Sequence, residues 1–317
     1  WPSFSREEIA AFAGQPYAQV AATVLGKFAG DDTAPGVLRE MCEEAYATFS
    51  HKAVTPLNQI GDNLFLLELF HGPTLAFKDV AMQLLGRLYE HALKSKKRTL
   101  TIICATSGDT GGAAVEAFRG RDNVRIVALF PEGRISEVQR RFMTTATDAN
   151  VRCLSIQGSF DDCQALVKSA FLDRELSERL NLTSANSINL ARLVPQSFYY
   201  IHAARQLPEG VLPTFVIPSG NFGNLTAGLL AMQLGLPVDP FYERDGGLAF
   251  DLLSSYSGQG RVTIGHANGV ITIDLVESLD AYRESLRVRL GEPYRTMLGH
   301  FRTSKATRDE FLSLVRR

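Results

Sequence analysis

The sequence predicts an α/β protein of two lobes, each a mostly parallel sheet covered by helices, and three observations carry that expectation. Between about Leu64 and Leu236, short apolar runs alternate with amphipathic stretches, the layering pattern of α/β folds. Two glycine-rich turns each follow an apolar run and open a helix-like stretch. The stretch from Thr99 to about Leu182 reads as a compact βαβαβα unit inserted between two halves of a larger lobe, which leaves a cleft, and clefts at the carboxyl ends of strands are where such folds bind ligands.

Taken in order, the strands are expected at Leu64–Leu69, Thr99–Cys104, Val124–Phe130, Val151–Ile156 and Thr214–Pro218. Val80, Leu84, Leu85 and Leu88 fall at helical spacing, as do Ala165, Leu166, Ala170 and Leu176, each series opposite charged residues. The first strand and the one around Val216 would pair across the inserted unit. After about Phe241 the alternation stops: Arg261–Leu275 is strand-like, Asp280–Leu290 is helix-like, and the chain closes on Arg316-Arg317.

Composition excludes several classes of function. Lys plus Arg number 33 against 34 Asp plus Glu, a net charge of −1, so there is no basic field for nucleic acid or an anionic membrane. No apolar run nears the roughly 20 residues of a membrane span. Cys42, Cys104, Cys153 and Cys163 stand far apart without a Cys-x-x-Cys pair, which reads as four reduced, partly buried thiols. Trp1-Pro2-Ser3-Phe4-Ser5 has neither the basic start nor the apolar stretch of a secretory signal, so a cytoplasmic location is expected.

Three constellations carry chemistry. Ser219-Gly220-Asn221-Phe222-Gly223-Asn224 follows a strand and precedes the helix Leu225–Leu234; free amides and a helix start suit a phosphate, although a plain strand-to-helix turn would use the same glycines. Ala105-Thr106-Ser107-Gly108-Asp109-Thr110-Gly111-Gly112 joins a strand to a helix running through Ala117 and Phe118. It reads either as a receptor for a carboxylate or phosphate, or as a turn capped by Asp109 or Thr110. In Glu68-Leu69-Phe70-His71-Gly72-Pro73-Thr74-Leu75-Ala76-Phe77-Lys78-Asp79, a lysine stands at a helix start, where it opposes the dipole. It is either a reactive amine, since lysines of lowered pKa form Schiff bases with carbonyl cofactors, or a surface lysine paired with Asp79.

An amine nucleophile, a phosphate cup and an anion-binding turn together are what pyridoxal 5′-phosphate (PLP) chemistry requires. The Phe-Lys-Asp setting of Lys78, the Ser-Gly-Asp-Thr-Gly turn and the Gly-Asn-Phe-Gly-Asn cup closely resemble the threonine synthases, PLP enzymes of fold type II. The resemblance runs from the first residues to about Phe241 and includes Met41–Tyr46, Phe160–Lys168 and Asn186-Ser187-Ile188-Asn189. It implies that Lys78 holds PLP as a Schiff base and shuttles protons, and that Gly220, Asn221, Phe222, Gly223 and Asn224 receive its phosphate. By the same resemblance Thr74, Ser107, Asp109, Thr110, Asn189 and Arg192 bind substrate. The implied reaction converts O-phospho-L-homoserine and water into L-threonine and phosphate, in a monomer or homodimer. A fold type II dehydratase of serine or threonine, or a chain without turnover, are the alternatives.

The implied organisation is 1–98 and 186–240 as the two parts of the large PLP lobe, 99–185 as the smaller inserted lobe, and 241–317 outside the family pattern. Against that pattern the chain reads as truncated at both ends. The Ala-Thr-Asn-x-Asn-Asp and Thr-Ala-His-Pro segments are absent, the latter supplying the hydroxyl that faces the pyridine nitrogen. Phe241–His266, Ile271–Leu275 and Gly291–Arg302 instead resemble an interior piece of a zinc-binding metallopeptidase family. The His-Glu pair and further histidine that would hold and serve the metal do not follow Arg302, so no metal site is expected, and His266 and His300 read as passive.

Overall fold

A computed structural model describes residues 2–96, 98–185, 189–208, 211, 213, 215, 217–219, 223–237, 241–242, 248–254, 261–267 and 270–276. The elements run α1 (Arg6–Ala10), α2 (Tyr17–Ala29), α3 (Pro35–Tyr46), β1 (Leu57–Gly61), β2 (Leu64–Leu67), α4 (Asp79–Lys96), β3 (Leu100–Ala105), α5 (Asp109–Phe118) and β4 (Val124–Pro131). They continue with α6 (Glu137–Thr144), β5 (Val151–Ile156), α7 (Phe160–Leu172), α8 (Arg174–Leu180), β6 (Leu182–Thr183), α9 (Leu190–Ala204), β7 (Ile217–Ser219) and α10 (Gly223–Gln233). The last are β8 (Phe241–Tyr242), β9 (Leu248–Ser254), β10 (Arg261–Ala267) and β11 (Val270–Val276). Contacts divide the chain into two compact units. One is Trp1–Pro213 with Gly223–Val238; the other is Thr214–Phe222 with Asp239–Arg317.

In the first unit, β5-β4-β3-β6 form a wholly parallel sheet, as the expected βαβαβα unit requires. Strand pleating sends alternate side chains to opposite faces. Ile102, Cys104, Ile126, Ala128 and Phe130 join Met82 and Leu85 of α4, Phe118 of α5 and Met143 of α6 in one core. Ile103, Ala105, Val127 and Leu129 turn the other way, toward Cys163 and Val167 of α7. Both faces are thus covered, the usual condition of a parallel sheet.

The face that α7 buries differs from the expectation. Phe160, Cys163, Val167 and Phe171 point to the sheet, whereas Leu166 is 48% exposed. Leu176 is not on α7 at all: the Asp173 side chain accepts the Leu176 amide and starts α8, so the expected stripe crosses a helix boundary. The strand at Leu64–Leu67 also differs, pairing antiparallel with β1 as a two-stranded sheet.

Helices α2, α3, α4, α9 and α10 pack together beside this sheet. From Arg192 to Ala204 almost every residue of α9 is buried, which makes it the central helix of that layer. In the second unit, β11-β10-β9-β7 form one sheet, with β8 also on β9; β10 and β11 are an antiparallel pair that covers the expected Arg261–Leu275 stretch and ends one residue past it. Asp280–Leu290, His300 and the last residues lie outside the described residues. Among the described residues no helix is long and apolar enough to cross a membrane, and no three His, Cys, Asp or Glu side chains cluster as for a metal.

Candidate active site

Lys78 stands one residue before α4, its carbonyl accepting the Met82 amide at 2.9 Å. The turn before it is built around Asp79, which is fully buried. One carboxylate oxygen accepts the Thr74 amide at 2.8 Å and the other the Thr74 hydroxyl at 2.6 Å. Gly72 lies so close that an added Cβ would sit 2.5 Å from Asp79 Oδ2, so only glycine fits there. Leu75, at the tip, has φ of 61°, a left-handed conformation that this tight turn imposes on a branched residue.

The neighbouring carboxylate is therefore committed to Thr74 and not to Lys78. The Lys78 side chain is only 17% exposed, and its Nζ donates to Asp109 Oδ2 at 3.3 Å and lies 4.4 Å from the centre of the Phe77 ring. This corrects the surface-lysine alternative. Burial lowers the Lys78 pKa; the Asp109 carboxylate opposes that, and the Arg192 guanidinium adds to it.

Asp109 opens α5 on the second glycine turn. Neither Asp109 nor Thr110 caps the helix: Gly108 occupies the N-cap position with no side-chain cap, and the buried Thr106 hydroxyl accepts the Gly108 and Gly111 amides at 2.9 and 2.8 Å. Glycine is needed here for close approach. A Cβ on Gly111 would meet Thr106 Cγ2 at 2.5 Å as well as Met143 of α6, and one on Gly112 would lie 3.0 Å from Phe142 Cβ. Ser107 is exposed and Thr110 half-buried beside Asp109. Thr106 was read only as a member of this turn, without its bracing role, and Gln139 escaped the sequence reading. Gln139 Nε2 donates to Asp109 Oδ1 at 2.6 Å from 30 positions away, a separation that no local pattern encodes.

Asn189 and Arg192 start α9. Asn189 Oδ1 accepts the Ala191 amide at 3.0 Å as N-cap, and its Nδ2 donates to the Tyr89 hydroxyl at 2.7 Å. Arg192 is 2% exposed and donates from one terminal nitrogen to the Ala185 carbonyl at 2.7 Å. Its Nε is buried without a partner among the described residues, and burial pulls its pKa down to about 10. Further along α9, the Tyr200 hydroxyl donates to the Asn224 carbonyl at 2.8 Å, and its ring packs on Gly228, where a Cβ would lie 3.2 Å away. The central helix therefore links the surroundings of Lys78 to the start of α10, where Gly223 and Asn224 lie. Gly220, Asn221 and Phe222 lie outside the described residues.

An enclosed amine of lowered pKa that meets a carboxylate on a glycine turn is an arrangement able to form a Schiff base with a carbonyl compound. Residues 49–240 match the family described as pyridoxal-phosphate dependent enzyme, and the chain belongs to that family. Within it, the chain is 48% identical over 239 residues to a threonine synthase of Pseudomonas aeruginosa, covering 75% of this chain and 51% of that protein. Against the Escherichia coli threonine synthase it is 44% identical over 242 residues, covering 76% and 55%. A crystal structure of PLP-bound threonine synthase from Brucella melitensis superposes with a TM-score of 0.72 at 51% identity, covering 76% of this chain and 52% of that one. The chain thus spans about half the length of the relatives it matches. Residues 225–307 also match a family described as "Putative zinc-binding metallo-peptidase".

Proposed function

We propose that the chain carries out threonine synthase chemistry, in which O-phospho-L-homoserine and water give L-threonine and phosphate, with Lys78 as the amine that takes the cofactor. One observation carries this reading: Lys78 is an enclosed amine of lowered pKa facing Asp109 on a glycine turn, in a chain nearly half identical to threonine synthases over three quarters of its length. The residues present fit the cofactor, because the buried ammonium has one carboxylate partner at 3.3 Å and its neutral form is favoured by burial.

PLP, when bound, supplies an electron sink for charge developing at the Cα of an amino acid. Lys78 would serve as the base for the protons of Cα and Cβ, and a pKa lowered by burial suits it to accept and return them. Gly223 and Asn224, with Gly220, Asn221 and Phe222, are assigned to the cofactor phosphate at the start of α10. Ser107, Asp109 and Thr110, at the start of α5, are assigned to the substrate, as is Thr74. Arg192 supplies positive charge near Lys78, suited to an anionic substrate, and Asn189 fixes the helix that bears it. The lobe division belongs to the same proposal, supported by the parallel sheet contained within Leu100–Thr183.

Mixing the purified chain with PLP should give the visible absorption of a lysine-bound cofactor, and Lys78→Ala should abolish it. No such band in the wild-type chain would end the cofactor assignment. Phosphate release from phosphohomoserine, set against ketoacid formation from threonine, separates this reading from a dehydratase.

A further inference from the structure

Gln139 sits where two functions meet. It is the third residue of α6 and completes a capping box: its Oε1 accepts the Ser136 amide at 3.1 Å while its own amide donates to Ser136 Oγ at 3.2 Å. The oxygen being so engaged, the NH2 end of the side chain points the other way and donates to Asp109 Oδ1 at 2.6 Å. The second oxygen of Asp109 accepts from Lys78. The Gln139 amide lies flat against Gly108, where a Cβ would come within 2.5 Å of Oε1 and 2.6 Å of Nε2. Gly108, at φ 134°, is therefore the gap through which Gln139 reaches the turn.

A capping box accepts glutamate at this position as readily as glutamine, so capping alone does not require the amide. Contact with Asp109 does, because only an amide can accept from Ser136 at one end and donate to a carboxylate at the other. We infer that Gln139 is a positioning residue which, by holding one oxygen of Asp109, fixes the negative charge beside the Lys78 amine and so sets how readily that amine reacts. The inference rests on reading Lys78 as the reactive amine. The groups whose charges bear on Lys78 are Asp109, Arg192 and Asp79.

Two substitutions at Gln139 should move Lys78 in opposite directions. Gln139→Glu preserves the cap but adds a carboxylate beside Asp109; above the pH at which the pair shares a proton, the extra negative charge stabilises the ammonium and slows the amine. Gln139→Met keeps the length but frees Asp109, whose side chain is already 45% exposed, to leave Lys78; the ammonium loses its partner and the amine reacts faster. Ser136→Ala is the control, weakening the start of α6 while leaving the Ser136 amide to hold Gln139.

The reaction rate of Lys78 with an acylating reagent, read by mass spectrometry of the full chain at fixed mildly alkaline pH without PLP, measures this directly. The expected change is about threefold slower for Gln139→Glu and about threefold faster for Gln139→Met, the factor of a half-unit pKa displacement, with Ser136→Ala unchanged. If both Gln139 variants move the rate the same way, if neither moves it, or if Ser136→Ala reproduces their effect, the inference fails. Should Gln139→Met not fold, Gln139→Glu against Ser136→Ala still decides. Because no cofactor is added, this outcome is independent of the visible band that tests the proposed function.

Discussion

At the scale of single residues, Asp79 shows how the site constrains chemistry next to the reactive amine. Burial raises its pKa from 3.8 to about 6, even though the Thr74 hydroxyl and amide both favour the charged form. Below about pH 3.8 the carboxyl is protonated in the folded and unfolded chain alike. As pH rises toward 6 the unfolded chain releases the proton first, so stability falls across that window, by about 3 kcal/mol at most, and is level above it. Asp79→Asn, whose amide still accepts from the Thr74 N–H and donates to its hydroxyl, removes that loss. Its stability relative to wild type should improve by roughly 1–3 kcal/mol between pH 4 and pH 7 in denaturant titrations. A difference that does not change with pH would show that ionisation of Asp79 costs the fold nothing. The sequence placed Lys78 and Asp79 side by side at a helix start but left their pairing open. Which carboxylate meets the amine was settled by the Thr74 turn, which takes Asp79 away, and by α5, which brings Asp109 in.

Among elements, α7 shows where periodicity reaches its limit. Phe160–Leu172 holds two apolar stripes, one through Phe160, Cys163, Val167 and Phe171 and the other through Ala165, Leu166 and Leu172, and hydropathy alone does not rank them. The structure buries the first against the sheet, on a helix that Ser159 and Asp162 cap just after β5 ends. Leu172 remains 82% exposed. Val167→Ala should therefore cost about 1–3 kcal/mol, and Leu166→Ala less than about 0.5 kcal/mol, in equilibrium unfolding. The reverse order would mean that α7 presents its other stripe to the sheet. By contrast β3, β4, β5 and α5 were legible to within a residue or two, because each is a mainly apolar run or stripe bounded by turn residues. The helices α1 to α3 were not anticipated, although α2 carries Tyr17, Val20, Ala21, Val24 and Leu25 at helical spacing.

For the whole molecule, the four thiols report on two separate parts of the core. Cys42 lies in α3 among the helices, and Cys104 lies in β3 at the centre of the parallel sheet; burial raises both thiols to about 12. Cys153 is half-buried, with its thiol near the Met143 carbonyl. A thiol reagent should leave Cys42 and Cys104 unmodified under native conditions and label all four cysteines once the chain is unfolded. Rapid native labelling of Cys42 alone would mean that the helical layer does not form while the sheet does.

By itself the sequence determined the kinds of chemistry available: one lysine at a helix start, two glycine turns after strands, and an α/β order of elements. These are local signals, carried by spacing and by backbone freedom over a few residues. Only the tertiary structure decided that the lysine amine faces a carboxylate 31 positions away, that a glutamine on a third element holds that carboxylate, and that the glycines of the second turn admit α6. Those pairings depend on strand register and helix packing, which bring distant residues within hydrogen-bond reach and leave no periodic trace in the chain.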